Sequence, residues 1–390
     1  MVAMWPSASS APPDFVLIGS PQDRRVELFQ AALVQLELPP ARMISYLDLI
    51  AGRLALADSI RPTSIVRIES PGKDFEVERA LLALGAEIEE PDGHPYERLS
   101  RRAVEELRFE KGRILPSRQW YLGYCQLLQH IKQQAKQNQV MNTADDIMLV
   151  FDKRATHALL TAHAISVPPA IGPVNSYEEL IDQMQRHGWS RVFLKLAHGS
   201  SASGVVAYRF SGNRHQAITT VEMVCTDNER KLYNSRDIRV YQQHEEIVAL
   251  IDALCRHRVH VEQWLPKAGY AQRTFDLRIV MIARQVQHVV ARLSRSPMTN
   301  LHLLNQRSDI AEILTAIGEA RWEQACRTCG QVAHLFASLY MGIDLLFTSA
   351  FKRHAIVEVN AFGDLLPGVL YHDQDTYTAE IMAALKAGAE

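Results

Sequence analysis

Two apolar segments near the end of the chain each carry a carboxylate, and together they constrain its fold more than any other feature. Asp344 lies in the first segment, and Glu358 and Asn360 lie two residues apart in the second. Because side chains alternate between faces along a strand, Glu358 and Asn360 point to the same side. Ile356 shares that side, and Val357 points to the other.

The connection between the two segments is short enough for a hairpin. Pairing the strands places Asp344 beside Glu358 and Asn360, on a sheet that is otherwise apolar. Two carboxylates and an amide oxygen are ligands that Mg²⁺ accepts, usually together with substrate phosphates. The sequence therefore predicts a cation site at this hairpin.

Composition limits the class of protein. The chain has 390 residues, of which 22% are charged and 47% hydrophobic, and its formal net charge is −2. It is long enough for two or three domains, and it lacks the strong positive charge that draws in nucleic acid. No apolar run approaches the ~20 residues of a membrane helix. Residues 1–13 are rich in Ser, Ala and Pro, which predicts a flexible leader without the pattern of a signal peptide.

The cysteines indicate a reducing compartment. The chain has five of them, an odd number, which favours a cytoplasmic location over an oxidising one. Cys326 and Cys329 form a CxxC pair, but a zinc site would need a second pair nearby. Both lie in a stretch with helical periodicity, so we expect structural cysteines there.

The first 90 residues alternate between strand-like and helix-like patterns, which predicts a parallel α/β unit. The predicted elements are strands at Phe15–Gly19, Met43–Ile50 and Ser64–Ile68 and helices at Val26–Leu38 and Phe75–Leu84. A phosphate-binding GxGxxG is missing, so dinucleotide binding is unsupported. The stretch from Leu115 to Gln139 follows as an amphipathic helix, either a plain connection or a wall that contacts substrate.

The remainder alternates less regularly. Its predicted helices are Phe151–Ala164, Ser176–His187 and Ile310–Tyr340, and its predicted strands are Arg191–Lys195, Val205–Tyr208, Val259–Leu265, Asp276–Ala283 and Val286–Arg292. The polar stretch 210–237 matches no pattern.

A Gly/Ser loop at residues 199–204 is the second chemical signal. Small residues let backbone N–H groups approach a ligand and cradle phosphate oxygens, although such a loop is also a common flexible turn. Lys195 lies on the strand that leads into this loop and can reach a phosphate as a point charge. Lys153, predicted at a strand-to-helix junction, is a second lysine of this kind.

These motifs occur in a familiar order. Asp152-Lys153, Phe193-Leu194-Lys195 with the Gly/Ser loop, Asp276-Leu277-Arg278, Asp344 and Glu358-Val359-Asn360 follow one another along the chain. Over residues 140–372 the order resembles the ATP-grasp superfamily, and within it the branch of the ribosomal-protein glutamate ligase and the peptide-modifying ligases. The resemblance implies an α/β protein, α+β in its core, with an N-terminal Rossmann-like domain at 14–140. A two-lobed ATP-grasp core would follow at 141–265 and 266–390.

The resemblance also implies residue roles. The ATP-binding residues would be Lys153 and Lys195 on the phosphates, the lid residues Gly199, Ser200, Ser201, Ser203 and Gly204, and the adenine-pocket residues Glu262, Gln263, Trp264 and Leu265. Arg278, Arg292 and Asn300 would act on the transferred phosphoryl group or the acyl phosphate. Asp344, Glu358 and Asn360 would hold two Mg²⁺ ions, or Mn²⁺ in their place. Gln263 stands where relatives often carry Glu, and residues 361–368 depart from the usual Ser-Pro-Gly continuation, which places the acceptor pocket's shape in question.

The implied activity is ATP-dependent ligation of a carboxylate to an amine through an acyl phosphate, with ADP and phosphate as products. The substrates would be small amino acids or peptides, with no nucleic-acid or membrane partner. Two alternatives stay open: a small-molecule kinase on the same fold, and a non-catalytic ATP-binding protein.

Overall fold

Three β-sheets organise the computed structural model of this chain. The structure describes residues 14–388, except 73, 92, 94, 95, 201, 226–229, 300–305 and 309. The strands of each sheet fall within one of the segments 14–140, 141–265 and 266–390. Within the described residues, no helix is both long and apolar enough to cross a membrane.

The first sheet is parallel and four-stranded. Its strands are β1 (Phe15–Gly19), β2 (Arg42–Ser45), β3 (Ile65–Ile68) and β4 (Gln139–Val140), in the order β2-β1-β3-β4. The helices of this part are α1 (Arg24–Gln35), α2 (Tyr46–Ile50), α3 (Leu56–Ser59), α4 (Phe75–Ala86), α5 (Arg101–Glu105) and α6 (Ser117–Gln134). The predicted strand at 43–50 is half wrong, because the Ser45 hydroxyl accepts from the Leu47 N–H and starts a helix there.

Helix α6 packs directly on α4. A Cβ on Gly123 would lie 2.0 Å from the Leu81 carbonyl oxygen, and one on Gly85 would lie 1.9 Å from that of Gln119. The two glycines therefore permit backbone-to-backbone contact, which any side chain would prevent. The helix predicted to Gln139 ends at Gln134.

Two helices then lead to the second sheet. They are α7 (Ala144–Phe151) and α8 (Lys153–Ala162), separated by Asp152, whose carboxylate caps the first turn of α8. The sequence predicted a helix at Phe151–Ala164 and a strand before Lys153. The helix is confirmed except at its start, because Asp152 leaves helical geometry to act as the cap. The strand is wrong, because α7 precedes Asp152.

The second sheet is antiparallel. Its strands are β5 (Ala170–Ile171), β6 (Arg191–Leu196), β7 (Val206–Ser211), β8 (Arg214–Cys225), β9 (Arg230–Tyr241) and β10 (Val259–Gln263), in the order β5-β10-β6-β7-β8-β9. Helices α9 (Tyr177–Arg186) and α10 (His244–Cys255) accompany it. The stretch 210–237 that matched no pattern falls largely in the long β8–β9 hairpin, whose exposed polar residues conceal the alternation.

The third sheet is also antiparallel. Its strands are β11 (Gly269–Tyr270), β12 (Arg273–Ile282), β13 (Gln285–Ser294), β14 (Gln306–Ser308), β15 (Tyr340–Phe347) and β16 (His354–Asn360), in the order β14-β13-β12-β15-β16 with β11 on β12. Its helices are α11 (Ile310–Ile317), α12 (Glu319–Ala333) and α13 (Thr376–Ala387), and a 3₁₀ turn spans Ser349–Phe351. The single helix predicted at 310–340 is wrong, because Gly318 adopts a φ of 86° and Tyr340 already opens β15.

Candidate functional site

The hairpin that carries the carboxylates forms as the sequence predicts. Strands β15 and β16 are antiparallel, with Asp344 directly opposite Glu358 and Gly342 opposite Asn360. The register shifts after this pair, because Leu345 pairs with residue 356 and not with residue 357.

This bulge corrects two predicted orientations. Ile356 lies in the hydrophobic core with Leu345, on the opposite side from the carboxylates. Val357, the extra residue of the bulge, lines the same cleft as Glu358. Simple alternation fails here because a bulge inserts one residue into one strand.

A cleft lies between the second and third sheets. The predicted site residues that line it are Lys153, Lys195, Gly199, Ser203, Glu262, Gln263, Leu265, Arg292, Asp344 and Glu358. Residues from distant parts of the chain thus converge on one space.

Lys195 and Glu262 form the ion pair on the side of the second sheet. They lie on neighbouring strands β6 and β10, and their charged atoms are in contact. Burial alone would raise the pKa of Glu262, but the Lys195 ammonium and the His260 ring overcome it and lower that pKa to about 2. Glu262 is therefore ionised at neutral pH and forms an ion pair with Lys195 inside the cleft.

Lys153 contacts both the Gly/Ser loop and the β15–β16 hairpin. Its ammonium donates to the Gly199 carbonyl at 2.6 Å and lies 2.9 Å from the Glu358 carboxylate. Its position at the first turn of α8 is set by the Asp152 cap. His198, at 3.3 Å from Asp152, is buried, and this burial lowers its pKa to about 4, so it is neutral and structural at pH 7.

A chain of alternating charges runs through the third sheet. Arg292 lies 2.7 Å from Asp276 and 3.0 Å from Asp344, and Asp344 also accepts from Arg278. Burial by itself would raise the pKa of Asp344, but Arg278 and Arg292 lower it below its usual range. Lys267 continues the chain from Asp276 at 3.1 Å. We call Lys267, Asp276, Arg292, Asp344 and Arg278 the cleft cluster.

Lys267 and Thr299 line the cleft and were missed by sequence reasoning. The Lys267 ammonium donates to the Thr299 hydroxyl at 2.7 Å, and that hydroxyl donates to Asp276. The only signal was position: Lys267 follows two residues after the predicted adenine segment, and Thr299 precedes Asn300. Neither residue belongs to the motif order.

Several predicted residues do not line the cleft. These are Ser200, Gly204, Trp264, Arg278 and Asn360. Trp264 packs on Phe193 with ring centroids 5.4 Å apart, and Gly204, at φ 67°, lies so close to Leu196 that a Cβ would clash. Ser201 and Asn300 lie outside the described residues.

Asn360 keeps a buried amide nitrogen without a hydrogen-bond partner. It lies opposite Gly342, which packs against Gly363 so closely that a Cβ on either would overlap the other's backbone. The two glycines thus bring the segment after β16 against β15, behind the carboxylate pair.

Asp344 and Glu358 suit a hard cation as oxygen donors on adjacent strands that line one cleft. Across the described residues, no group of three or more His, Cys, Asp or Glu side chains is arranged to enclose a metal ion. Mg²⁺ characteristically keeps few protein ligands and completes its shell with phosphate and water oxygens. The donor set therefore fits an ion that arrives with a phosphorylated ligand.

No protein-family model matches the sequence, and no curated protein matches it either. Solved structures do match. The ATP-grasp ligase PsnB complexed with a minimal precursor is 14% identical with a TM-score of 0.51, over 97% of this chain and 100% of that chain. PsnB is also known with Mg, ADP and a phosphomimetic variant of that precursor, at 14% identity, a TM-score of 0.50, and 98% and 100% coverage.

Two further solved structures also match this chain. They are the D-cycloserine synthetase DcsG and the macrocyclase MdnC bound with precursor peptide MdnA from Microcystis aeruginosa MRC. Each is 11% identical, with a TM-score of 0.53 over 96% of this chain and 99% of the other. Such low identities establish the fold alone, so this chain has the ATP-grasp fold.

Proposed function

We propose that this protein is an ATP-dependent ligase that joins a carboxylate to an amine through an acyl phosphate. One observation carries the proposal. In a chain with the ATP-grasp fold, Lys153 and Lys195 line the same cleft as Asp344, Glu358 and Arg292. This set combines fixed cations with carboxylates, as phosphoryl transfer from a nucleotide requires.

The lysines and the loop would bind the phosphates. Lys195 pairs with Glu262, and Lys153 donates to the loop carbonyl of Gly199. Both lysines line the cleft between the two sheets, where a triphosphate would bind. Backbone groups of 262–265 would bind the base, with Gln263 and Leu265 lining the cleft.

Asp344 and Glu358 would hold Mg²⁺, with Asn360 beside them. The ion would neutralise phosphate charge and stabilise the oxygens of the group being transferred. Two ions are proposed, in keeping with the pair of carboxylates. Asn360 itself does not line the cleft.

The arginines would stabilise the products of the first step. A carboxylate is a poor electrophile until it is phosphorylated, and its acyl phosphate must be protected from water. Arg292 lies in the cleft and Arg278 lies behind it on Asp344, so both supply fixed positive charge. The same groups suit the oxyanion that forms when an amine attacks.

The substrate class is proposed from the similar structures. PsnB and MdnC are complexed with precursor peptides, and DcsG is a synthetase of a small molecule. We propose an amino acid or peptide carboxylate as the acceptor of phosphate. None of residues 361–368 lines the cleft, so the idea that they shape the acceptor pocket stays a prediction.

The test uses positional isotope exchange. Protein is incubated with Mg²⁺, candidate carboxylates or peptide pools, and ATP labelled with ¹⁸O in the β–γ bridge. Reversible acyl-phosphate formation scrambles the label without any amine, and added hydroxylamine then yields hydroxamate and ADP. Lys195→Met, which removes a cleft cation, should abolish both signals.

The outcomes separate the alternatives. Stable phosphorylated product without hydroxamate identifies a kinase. Nucleotide binding without ADP formation across all pools identifies a non-catalytic protein, and either result overturns the ligase proposal. Lys132→Met, at an exposed ion pair far from the cleft, is the matched control and should behave as wild type.

A further inference from the structure

The ion pairs around the cleft do not balance. Lys153 pairs with Glu358, and Lys195 pairs with Glu262, so each of these pairs is neutral. The cleft cluster differs, because it joins three cations to two carboxylates. Its cations are Lys267, Arg292 and Arg278, and its anions are Asp276 and Asp344.

Most of this cluster is buried, and its most exposed member is Arg278 at 17%. The side chain of Lys267 is 9% exposed, that of Arg292 is 6% exposed, and both carboxylates are 4% exposed. A buried charge without a counter-ion is costly, and removing it from water is compensated only by a close opposite charge. Among the described residues no third carboxylate pairs with the cluster, and a bound anion would balance its charge.

Lys267 has an N–H donor that can bind such an anion. An ammonium group carries three N–H donors, and the structure gives Lys267 two acceptors, Asp276 and Thr299. The lysine lines the cleft, so its remaining donor is available to a bound molecule. Its backbone is fixed by a bridge to Thr348 and cannot withdraw easily.

The order of the cluster along the cleft locates the anion. Lys267 lies two residues beyond Leu265, which belongs to the segment proposed to bind the base. From there the contacts run through Asp276 and Arg292 to Asp344, next to Glu358 and Lys153. Lys267 thus lies at the base-proximal end of the charged chain, where a nucleotide carries its first phosphate.

We propose that Lys267 is a third phosphate-binding lysine, which contacts the phosphate of the bound nucleotide nearest the ribose. This inference rests on the proposed ATP site and extends it, since Lys153 and Lys195 then serve the outer phosphates. Lys267 would then contribute to the affinity for the phosphates of the nucleotide and not to the affinity for its nucleoside part.

Comparison of ADP with adenosine tests the assignment by equilibrium binding. We expect Lys267→Met to weaken ADP binding about tenfold or more, consistent with loss of a partly buried charge contact. Adenosine has no phosphate, so its affinity for Lys267→Met should stay within about twofold of its affinity for wild type. Lys267→Arg, which keeps the charge, should retain most of the ADP affinity.

The two proposals fail differently. If wild type binds neither ADP nor adenosine, the proposed nucleotide site is wrong. If wild type binds ADP and Lys267→Met binds it equally well, the role of Lys267 is wrong and the nucleotide site stands. Equal loss of ADP and adenosine affinity would also overturn the inference, since it indicates a change of cleft shape. Lys132→Met, which removes a lysine of an exposed ion pair outside the cleft, serves as the matched control and should bind both ligands as wild type does.

Discussion

Two buried clusters of charged side chains in this molecule have net charges of opposite sign. The cleft cluster has one more cation than it has carboxylates and opens onto a cavity. The other, which we call the sealed cluster, has one more carboxylate than it has cations. It consists of Arg25, Arg67, Glu69, Asp364 and Glu380.

Four of the five side chains of the sealed cluster are fully buried, and that of Arg25 is 18% exposed. The side chains of Arg67, Glu69, Asp364 and Glu380 are 0% exposed. The Arg67 guanidinium contacts all three acids and lies 4.4 Å from the centroid of the Tyr340 ring. It joins β3 of the first sheet to α13 and to the segment after β16.

The comparison shows how one type of ion pairing serves two purposes. In the cleft, the unbalanced charge is positive and a ligand can reach it, so an anion can complete it. In the sealed cluster the unbalanced charge is negative and lies on fully buried carboxylates, so a retained proton would compensate it. Burial accordingly raises the pKa of Glu380 well above its usual value, with Asp364 and Glu69 adding to the effect and Arg67 opposing it.

Removal of Arg67 should have the largest effect on stability. Arg67→Met leaves three carboxylates together in the interior, and loss of one partner from a buried ion pair costs about 3–5 kcal/mol. Urea unfolding of the variant against wild type measures it. Arg102→Met, at an 87% exposed side chain, is the control. A loss below about 1 kcal/mol would show that Arg67 is not what neutralises this cluster.

Removal of Asp344 should mainly affect turnover. Asp344→Asn removes a proposed Mg²⁺ ligand and a partner of Arg278 and Arg292, and we expect ADP formation to fall about 10²–10³-fold. Because the cleft is open to water, the loss of unfolding free energy should be smaller than for Arg67→Met. Steady-state ADP release and urea unfolding provide the two measurements. Near-normal turnover in a folded variant would contradict the metal role.

Glu262 should make the unfolding free energy of the protein fall at acidic pH. Its folded pKa of about 2 lies below the ~4.3 of an unfolded Glu, so its contribution is present above that value and is lost as pH falls through the folded pKa. The unfolding free energy of wild type should therefore approach that of Glu262→Gln between about pH 4.3 and 2. A constant difference across this window would refute the pairing with Lys195.

Glu380 should make the unfolding free energy depend on pH in the opposite direction, and its effect should be the smallest of the four. Its folded pKa is raised, so stability is full below the unfolded pKa and declines as pH rises through the folded value. Glu380→Gln imitates the protonated acid and can still accept from Arg67. We expect a change within about 1 kcal/mol near pH 6 and an increasing advantage for Gln at higher pH. A variant that is less stable than wild type at every pH would exclude a retained proton.

The sequence predicted the fold more completely than the contacts. Alternation and short turns gave the β15–β16 pair and the position of Asp344 beside Glu358, because local pattern determines strand faces. The bulge that turns Ile356 inward has no such local signal. Lys267 was missed because a lone lysine after a strand is usually a surface residue.

The sequence by itself determined most of the elements, the order of the motifs and the expectation of an ATP-grasp fold, which the solved structures support. These depend on residues near one another in the chain. Only the tertiary structure decided how charges are paired. Lys153 meets Glu358 across 205 residues, and Arg67 meets Glu380 across 313. Whether a cluster has an excess of cations or carboxylates depends on every charge that folding brings together, and no local pattern contains that sum.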